Sequence, residues 1–337
     1  MEAKSSTTAN GKKGIRAIEL VLIAVLGVIV AFLLATVIYH RVMTDQEMSL
    51  LKANGYVNPV SVGDYSLNVA KFGNPDGKHT IVALAGLGMG DFSVLERKMT
   101  STLEKENQVV FVDRAGYGLS DDSNKKMTVE NIVEDYRRAL KNDGIEGPYI
   151  LMPHSIAGVY TSYWVSKYPE EVEAVVFLDG TQMTEDFYLG EGGDGENTFN
   201  AKAESFFLKL GFGRYVLNYF TDGYPDLYTK DEKKMCEALK YMTLDSYSTG
   251  SEGALITKNV RSSWASIVTN DVPKLYICAS WGFDTEDYEN ARQTRLYPYL
   301  EKLGSCKTIL LPGSHNIFVQ YPDECGRIVK EFVDGLD

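Results

Sequence analysis

The chain has 337 residues, 46 acidic and 34 basic, with a formal net charge of −12. That length allows one large domain or two ordinary ones, and the negative balance argues against a nucleic-acid-binding surface. The four cysteines show neither a C-x-x-C pair nor zinc-like spacing, no metal or organic cofactor is implied, and any imidazole chemistry must use His40, His79, His154 or His315.

Residues 1–17 read as a cytoplasmic, disordered tail, rich in Ser, Thr, Lys and Gly at its start. Leu20 to Tyr39 is apolar except for Thr36, and its ~20 residues match the thickness of a bilayer core. A transmembrane helix is therefore expected over 18–40, making the lipid bilayer a partner. Lys4, Lys12, Lys13 and Arg16 precede it, which puts the N-terminus in the cytoplasm and the body outside it at the cell membrane. A cleaved signal peptide is the competing reading, but its apolar region should be shorter and end in a small-x-small site. Residues 41–57 are expected to be a linker.

From residue 58 strands and helices alternate. A hairpin is expected from Val60–Val62 and Leu67–Phe72, then strands at Thr80–Ala85, Gln108–Val112, Tyr149–Met152 and Val172–Leu178. Helices are expected at Phe92–Leu103, Val129–Leu140 and Ala157–Tyr168. Continuous apolar strands separated by helices imply an α/β fold, its sheet mostly parallel and covered on both faces. Residues 182–270 break the rhythm with three helical patterns, Ala201–Phe220, Lys230–Leu244 and Gly253–Ile267, and read as a lid over the C-terminal sheet edge. Alternation resumes over 271–337, with strands at Lys274–Ala279 and Cys306–Leu311 and helices at Tyr288–Leu303 and Tyr321–Leu336. Residues 58–181 and 271–337 are then two parts of one body.

Ser155 stands where an apolar strand turns abruptly into a helix, within Pro153-His-Ser-Ile-Ala157. Such a corner lifts a hydroxyl clear of the backbone and aims the next N–H at the same volume; the plainer reading is a helix-capping serine. A serine nucleophile needs a base held in the right tautomer by a third group. His315 is the only histidine on a loop after a late strand. His154 adjoins the serine and points elsewhere, His79 precedes a strand, and His40 borders the apolar run. For the acid, Asp179 ends one strand and Asp284 follows the next, with Glu286 and Asp287 as outsiders. The Gly86-Leu87-Gly88 turn offers the N–H of Leu87, and Ile156 offers a second, as oxyanion donors.

Four segments together resemble the α/β-hydrolase fold superfamily. Leu84-Ala-Gly-Leu-Gly88 is similar to its oxyanion turn, with alanine where histidine is common. Val112-Asp-Arg-Ala-Gly-Tyr-Gly-Leu-Ser-Asp121 is similar to its Asp-x-x-Gly-x-Gly-x-Ser segment. Pro153–Gly158 resembles its nucleophile elbow, with proline replacing the first glycine, and Gly313-Ser-His315 its late histidine turn. The resemblance implies Ser155 as nucleophile, His315 as base and the amides of Leu87 and Ile156 as the oxyanion hole. It favours Asp179 slightly, because the usual register after the lid would put Gly282 where the acid belongs. The implied activity is hydrolysis of a small-molecule ester or amide, esterase-like, with an aminopeptidase of the proline iminopeptidase type as a variant. A catalytically weak protein that binds a small hydrophobic ligand as sensor or scaffold is the alternative.

Overall fold

The computed structural model describes residues 5–186, 208, 210–215, 224–243, 246–280, 289–290 and 292–336, without the side chains of 5–15 and 17. Eight strands form one sheet in the order β1-β2-β4-β3-β5-β6-β7-β8. They are β1 (Pro59–Ser61), β2 (Ser66–Gly73), β3 (Thr80–Leu84), β4 (Gln108–Val112), β5 (Tyr149–Pro153), β6 (Val172–Leu178), β7 (Lys274–Ala279) and β8 (Lys307–Leu311). β1 and β2 pair antiparallel, as does β2 with β4. All other pairings are parallel. The inner strands read TIVAL, QVVFV, YILMP and KLYICA because both faces are covered and neither has to meet water.

The helices are α1 (Ser5–Ala53), α2 (Phe92–Thr100), α3 (Val129–Asn142), α4 (Ala157–Lys167), α5 (Lys230–Thr243), α6 (Tyr247–Ser266), α7 (Tyr297–Leu303), α8 (Ile317–Gln320) and α9 (Pro322–Val333). One apolar layer joins the sheet to α3, α4, α6 and α7 through Val133, Trp164, Val260 and Tyr299. The other joins it to α2, α5, α9 and the end of α1 through Met99, Leu239, Val329 and Leu51.

Four segments differ from expectation. α1 runs through residues 41–53, expected as a linker, because Leu51 is buried in the core and Met48 and Leu50 pack beside it. It also takes in residues 5–17, expected as a tail, since extending an existing helix costs little per residue. Of the three helices expected over 182–270, the first lies largely outside the described residues. The last begins at Tyr247, well before Gly253, because Asp122 accepts from the Tyr247 and Ser248 N–H groups at 2.7 and 2.9 Å and so caps α6. The helix expected from Tyr288 contains a π turn over Arg292–Leu296. Pro298 follows it, and a proline ring displaces the carbonyl four residues earlier.

By length and composition, α1 is long and apolar enough to cross a membrane.

Candidate active site

β3, β5, β6 and β8 end at the same sheet edge, and their next residues carry the candidate chemistry. β5 stops at Pro153, opposite Leu84, and the His154 N–H donates to the Leu84 carbonyl at 3.0 Å. Ser155 follows with φ 54°, in the left-handed region, where a non-glycine residue is strained. The strain is held by neighbours: the Ser155 carbonyl accepts from Gly158 and Thr181, each at 2.9 Å. Gly158 matters for a steric reason. A Cβ there would stand 3.3 Å from Gly180 Cα, tight enough that α4 or the end of β6 would have to give by a few tenths of an ångström.

β6 ends at Leu178, and Asp179 has φ 42°. Its Oδ1 accepts from the Ala279 N–H at 3.0 Å, and its Oδ2 lies 2.7 Å from His315 Nδ1. Asp179 is nearly buried, while the His315 ring is about a third exposed, its side chain at 30%. A carboxylate can only accept, so His315 carries its proton on Nδ1. Asp284, the rival acid, and its outsiders Glu286 and Asp287 lie outside the described residues.

His154 links the elbow to the base. Its Nε2–H donates to the His315 carbonyl at 3.1 Å, and the two rings lie 4.5 Å apart. Its Nδ1 is buried with no hydrogen bond among the described residues. Burial first, and the nearness of the second imidazole of His315 next, push the His154 pKa down to about 3, so the ring is neutral at ordinary pH. Sequence reasoning set this histidine aside as pointing away. Its Nε2 meets the backbone of His315, and its ring packs between His315, Phe92 and Phe318.

The turn after β3 closes the site from the third side. A Cβ on Gly86 would lie 2.6 Å from His154 Nδ1 and 3.1 Å from Ser155 Cβ, so only glycine lets this turn approach the elbow. The N–H groups of Leu87 and Ile156 have no hydrogen-bond partner among the described residues, and neither does the Ser155 hydroxyl. Two free donors beside a hydroxyl are what a developing oxyanion requires.

Behind this turn lies a group that the sequence did not flag. Arg114 is fully buried, donates to the carbonyls of Ala85 and of Gly86 (2.9 Å for the latter), and lies 4.1 Å over the Tyr117 ring. Its charge is met by Glu252 of α6 at 3.2 Å, and Glu252 also accepts from Tyr160 at 2.6 Å. The available signal was an arginine wedged between an apolar strand and a glycine turn, a place where it can hardly reach water.

Among the described residues no cluster of His, Cys, Asp or Glu could hold a metal ion. A cleft lined by Arg137, Gly147, Tyr149 and Glu171 lies at the entry of β5, the opposite edge from Ser155.

The family model for the α/β-hydrolase fold matches residues 80–323. The uncharacterized protein YbdG of Bacillus subtilis (strain 168) is 27% identical over 335 residues, covering 94% of this chain and 97% of that protein. The carboxylesterase CesB (YbfK) of Bacillus subtilis superposes with a TM-score of 0.58 at 14% identity, over 89% of this chain and 99% of its own. The enol-lactonase of Burkholderia xenovorans LB400 gives 0.57 at 16% identity, over 82% and 100%. At such identities the structural likeness carries the fold alone.

Proposed function

Because this chain belongs to the α/β-hydrolase family, we propose that it is a membrane-anchored serine hydrolase, cleaving an ester or small amide through an acyl-enzyme on Ser155. The observation that carries most weight is the 2.7 Å contact between His315 Nδ1 and Asp179 Oδ2, at the sheet edge where Ser155 adopts its left-handed turn.

Ser155 Oγ attacks the carbonyl carbon while His315 Nε2 takes the hydroxyl proton. Asp179 keeps the imidazole in the tautomer that can do so and stabilises the imidazolium that results. The carbonyl oxygen becomes an oxyanion beside the Leu87 and Ile156 N–H groups, each such donor being worth about 3 kcal/mol in the transition state. The carbon–heteroatom bond then breaks, the imidazolium proton goes to the leaving group, and water, activated by the same ring, releases the acid. The inserted helices α5 and α6 act as the lid. Their contacts would bring them over the oxyanion turn: a Cβ on Gly90 would meet Thr243, one on Gly116 would meet Ser246, and the Gly118 N–H donates to Thr243 at 2.9 Å. The apolar part of α1 is the anchor, with the N-terminus cytoplasmic and the body on the far side.

A fluorophosphonate probe tests the reading. It should phosphonylate the full-length protein at Ser155, read by intact mass and peptide mapping, and not the Ser155→Ala variant. A folded wild-type chain that resists the probe would sink the enzymatic reading and leave a ligand-binding body. Turnover of short acyl esters against amino-acyl arylamides separates an esterase from an aminopeptidase.

A further inference from the structure

α1 does not stand clear of the body along its apolar run. Upstream of Phe32 its described side chains are exposed. From Leu33 a covered stripe runs through Thr36, Val37, His40, Thr44 and Glu47, at the three- and four-residue spacing of one helix face. Thr36, the single polar interruption of the run, is 1% exposed.

What covers this stripe is the segment Leu210–Tyr215 together with α5. The Phe32 ring lies 6.3 Å from Phe212 and 6.4 Å from Tyr215. The hydroxyls of Thr36 and Tyr215 lie 3.4 Å apart. Gly211, at φ 101°, lies so close that a Cβ there would meet His40 Cβ at 2.6 Å. Arg214 donates to His40 Nδ1 at 3.1 Å, to Thr44 at 3.0 Å, and to both Glu47 oxygens at 2.6 and 2.7 Å. The rings of this segment thus sit low on α1, and Arg214 reaches upward toward the polar end, as long basic side chains do near an apolar layer.

A length argument decides where this happens. If the body stayed outside the hydrocarbon, only Ile18 to Phe32 would cross it, which is ~22 Å at the helical rise. The core needs ~30 Å. Counting in the covered turns to Tyr39 supplies the missing length, and puts Phe32 ~10 Å below the boundary, within the usual depth of an interfacial segment.

We propose that Leu210–Tyr215, seated on the Phe32–Glu47 face of α1, enters the apolar layer of the bilayer, and that the adjacent site takes esters whose long acyl or alkyl chain resides there. The distance from bilayer to site is short. Tyr241 of α5 lies 5.4 Å from His40, ring to ring. Two residues on, Thr243 accepts from the Gly118 N–H at 2.9 Å and abuts Gly90 of the oxyanion turn. Leu87, at the mouth, is 42% exposed. With Arg214 already paired to Glu47 and a net charge of −12, docking rests on apolar burial and not on attraction to anionic headgroups. The substrate part rests on the serine hydrolase reading; the insertion part does not.

The full-length protein is placed in phosphatidylcholine nanodiscs with Tyr215→Cys in a Cys306→Ser background, and the introduced thiol is labelled with an environment-sensitive nitrobenzoxadiazole. Blue-shifted emission, quenched by spin labels on the lipid acyl chains and not by aqueous iodide, is expected. Water-like emission quenched by iodide overturns the insertion. In the same discs, a hexadecyl fluorophosphonate should label Ser155 at least about tenfold faster than a soluble short-chain one, and Phe212→Asp should lower that ratio. Equal rates overturn the lipophilic substrate. If neither probe labels Ser155, the hydrolase reading and the substrate with it fall, while the quenching result still decides insertion.

Discussion

Arg114 and Glu252, 138 residues apart in sequence, form an ion pair of 3.2 Å in which both side chains are withdrawn from water. One holds the carbonyls of Ala85 and Gly86 and the other belongs to α6, so the pair ties α6 to the turn after β3. Glu252→Ala leaves a buried guanidinium uncompensated and should cost about 3–5 kcal/mol, read by urea denaturation in detergent. The double variant Arg114→Met, Glu252→Met should regain part of that stability and still turn over slowly, since Ala85 and Gly86 lose their anchor. Wild-type turnover in the double variant would remove Arg114 from any positioning role.

Asp179→Asn keeps the shape of the acid and removes its charge, so His315 adopts the wrong tautomer. The expected loss is about 10⁴-fold in kcat on a chromogenic short-chain ester, with KM little changed. If Asp179→Asn is nearly silent and Asp284→Asn is severe, the acid is assigned wrongly.

Gly86→Ala introduces a Cβ 2.6 Å from His154 Nδ1 and 3.1 Å from Ser155 Cβ. The turn must retreat, carrying the Leu87 N–H away from the oxyanion. A drop of about 10²–10³ in kcat is expected, with labelling of Ser155 by the fluorophosphonate slowed alongside. Unchanged kcat would mean the donor lies elsewhere.

His154 supplies a pH dependence of stability. Its folded pKa, about 3, lies below the ordinary 6.5, so between those values the unfolded chain binds a proton that the folded chain refuses. Stability therefore falls as pH drops through that window, by up to ~1.4 kcal/mol per pH unit. His154→Gln removes this dependence, and its stability relative to wild type should rise steadily from pH 6 to pH 4. Asp113, pushed up to about 7 by burial, contributes the opposite slope in both proteins and drops out of the comparison. Parallel stability curves would refute the buried neutral imidazole.

The body was legible because its signals are local. Runs such as Val172–Leu178 are apolar almost throughout, and that already requires a strand covered on both faces. The glycines of Gly116-Tyr-Gly118 announce a tight turn, and both have positive φ. The linker was misjudged because residues 41–53 look polar in sequence, although Glu47 is neutralised by Arg214 from far along the chain. The π turn before Pro298 was missed for a different reason: periodicity reports a helix, not its hydrogen-bond register.

The chain's own residues determined the alternation of strands and helices, the apolar run of α1 and the short roster of histidines, because hydrophobic period and side-chain chemistry are properties of neighbours. Which carboxylate meets His315 depended on the pairing of β6 with β7, and of β7 with β8, which brings Asp179 to the ring from 136 residues away. The same holds for His154 against the His315 carbonyl, Arg114 behind the turn after β3, and the seating of Leu210–Tyr215 on α1. Each is a contact between distant segments, and such contacts exist only once the sheet has set their spacing.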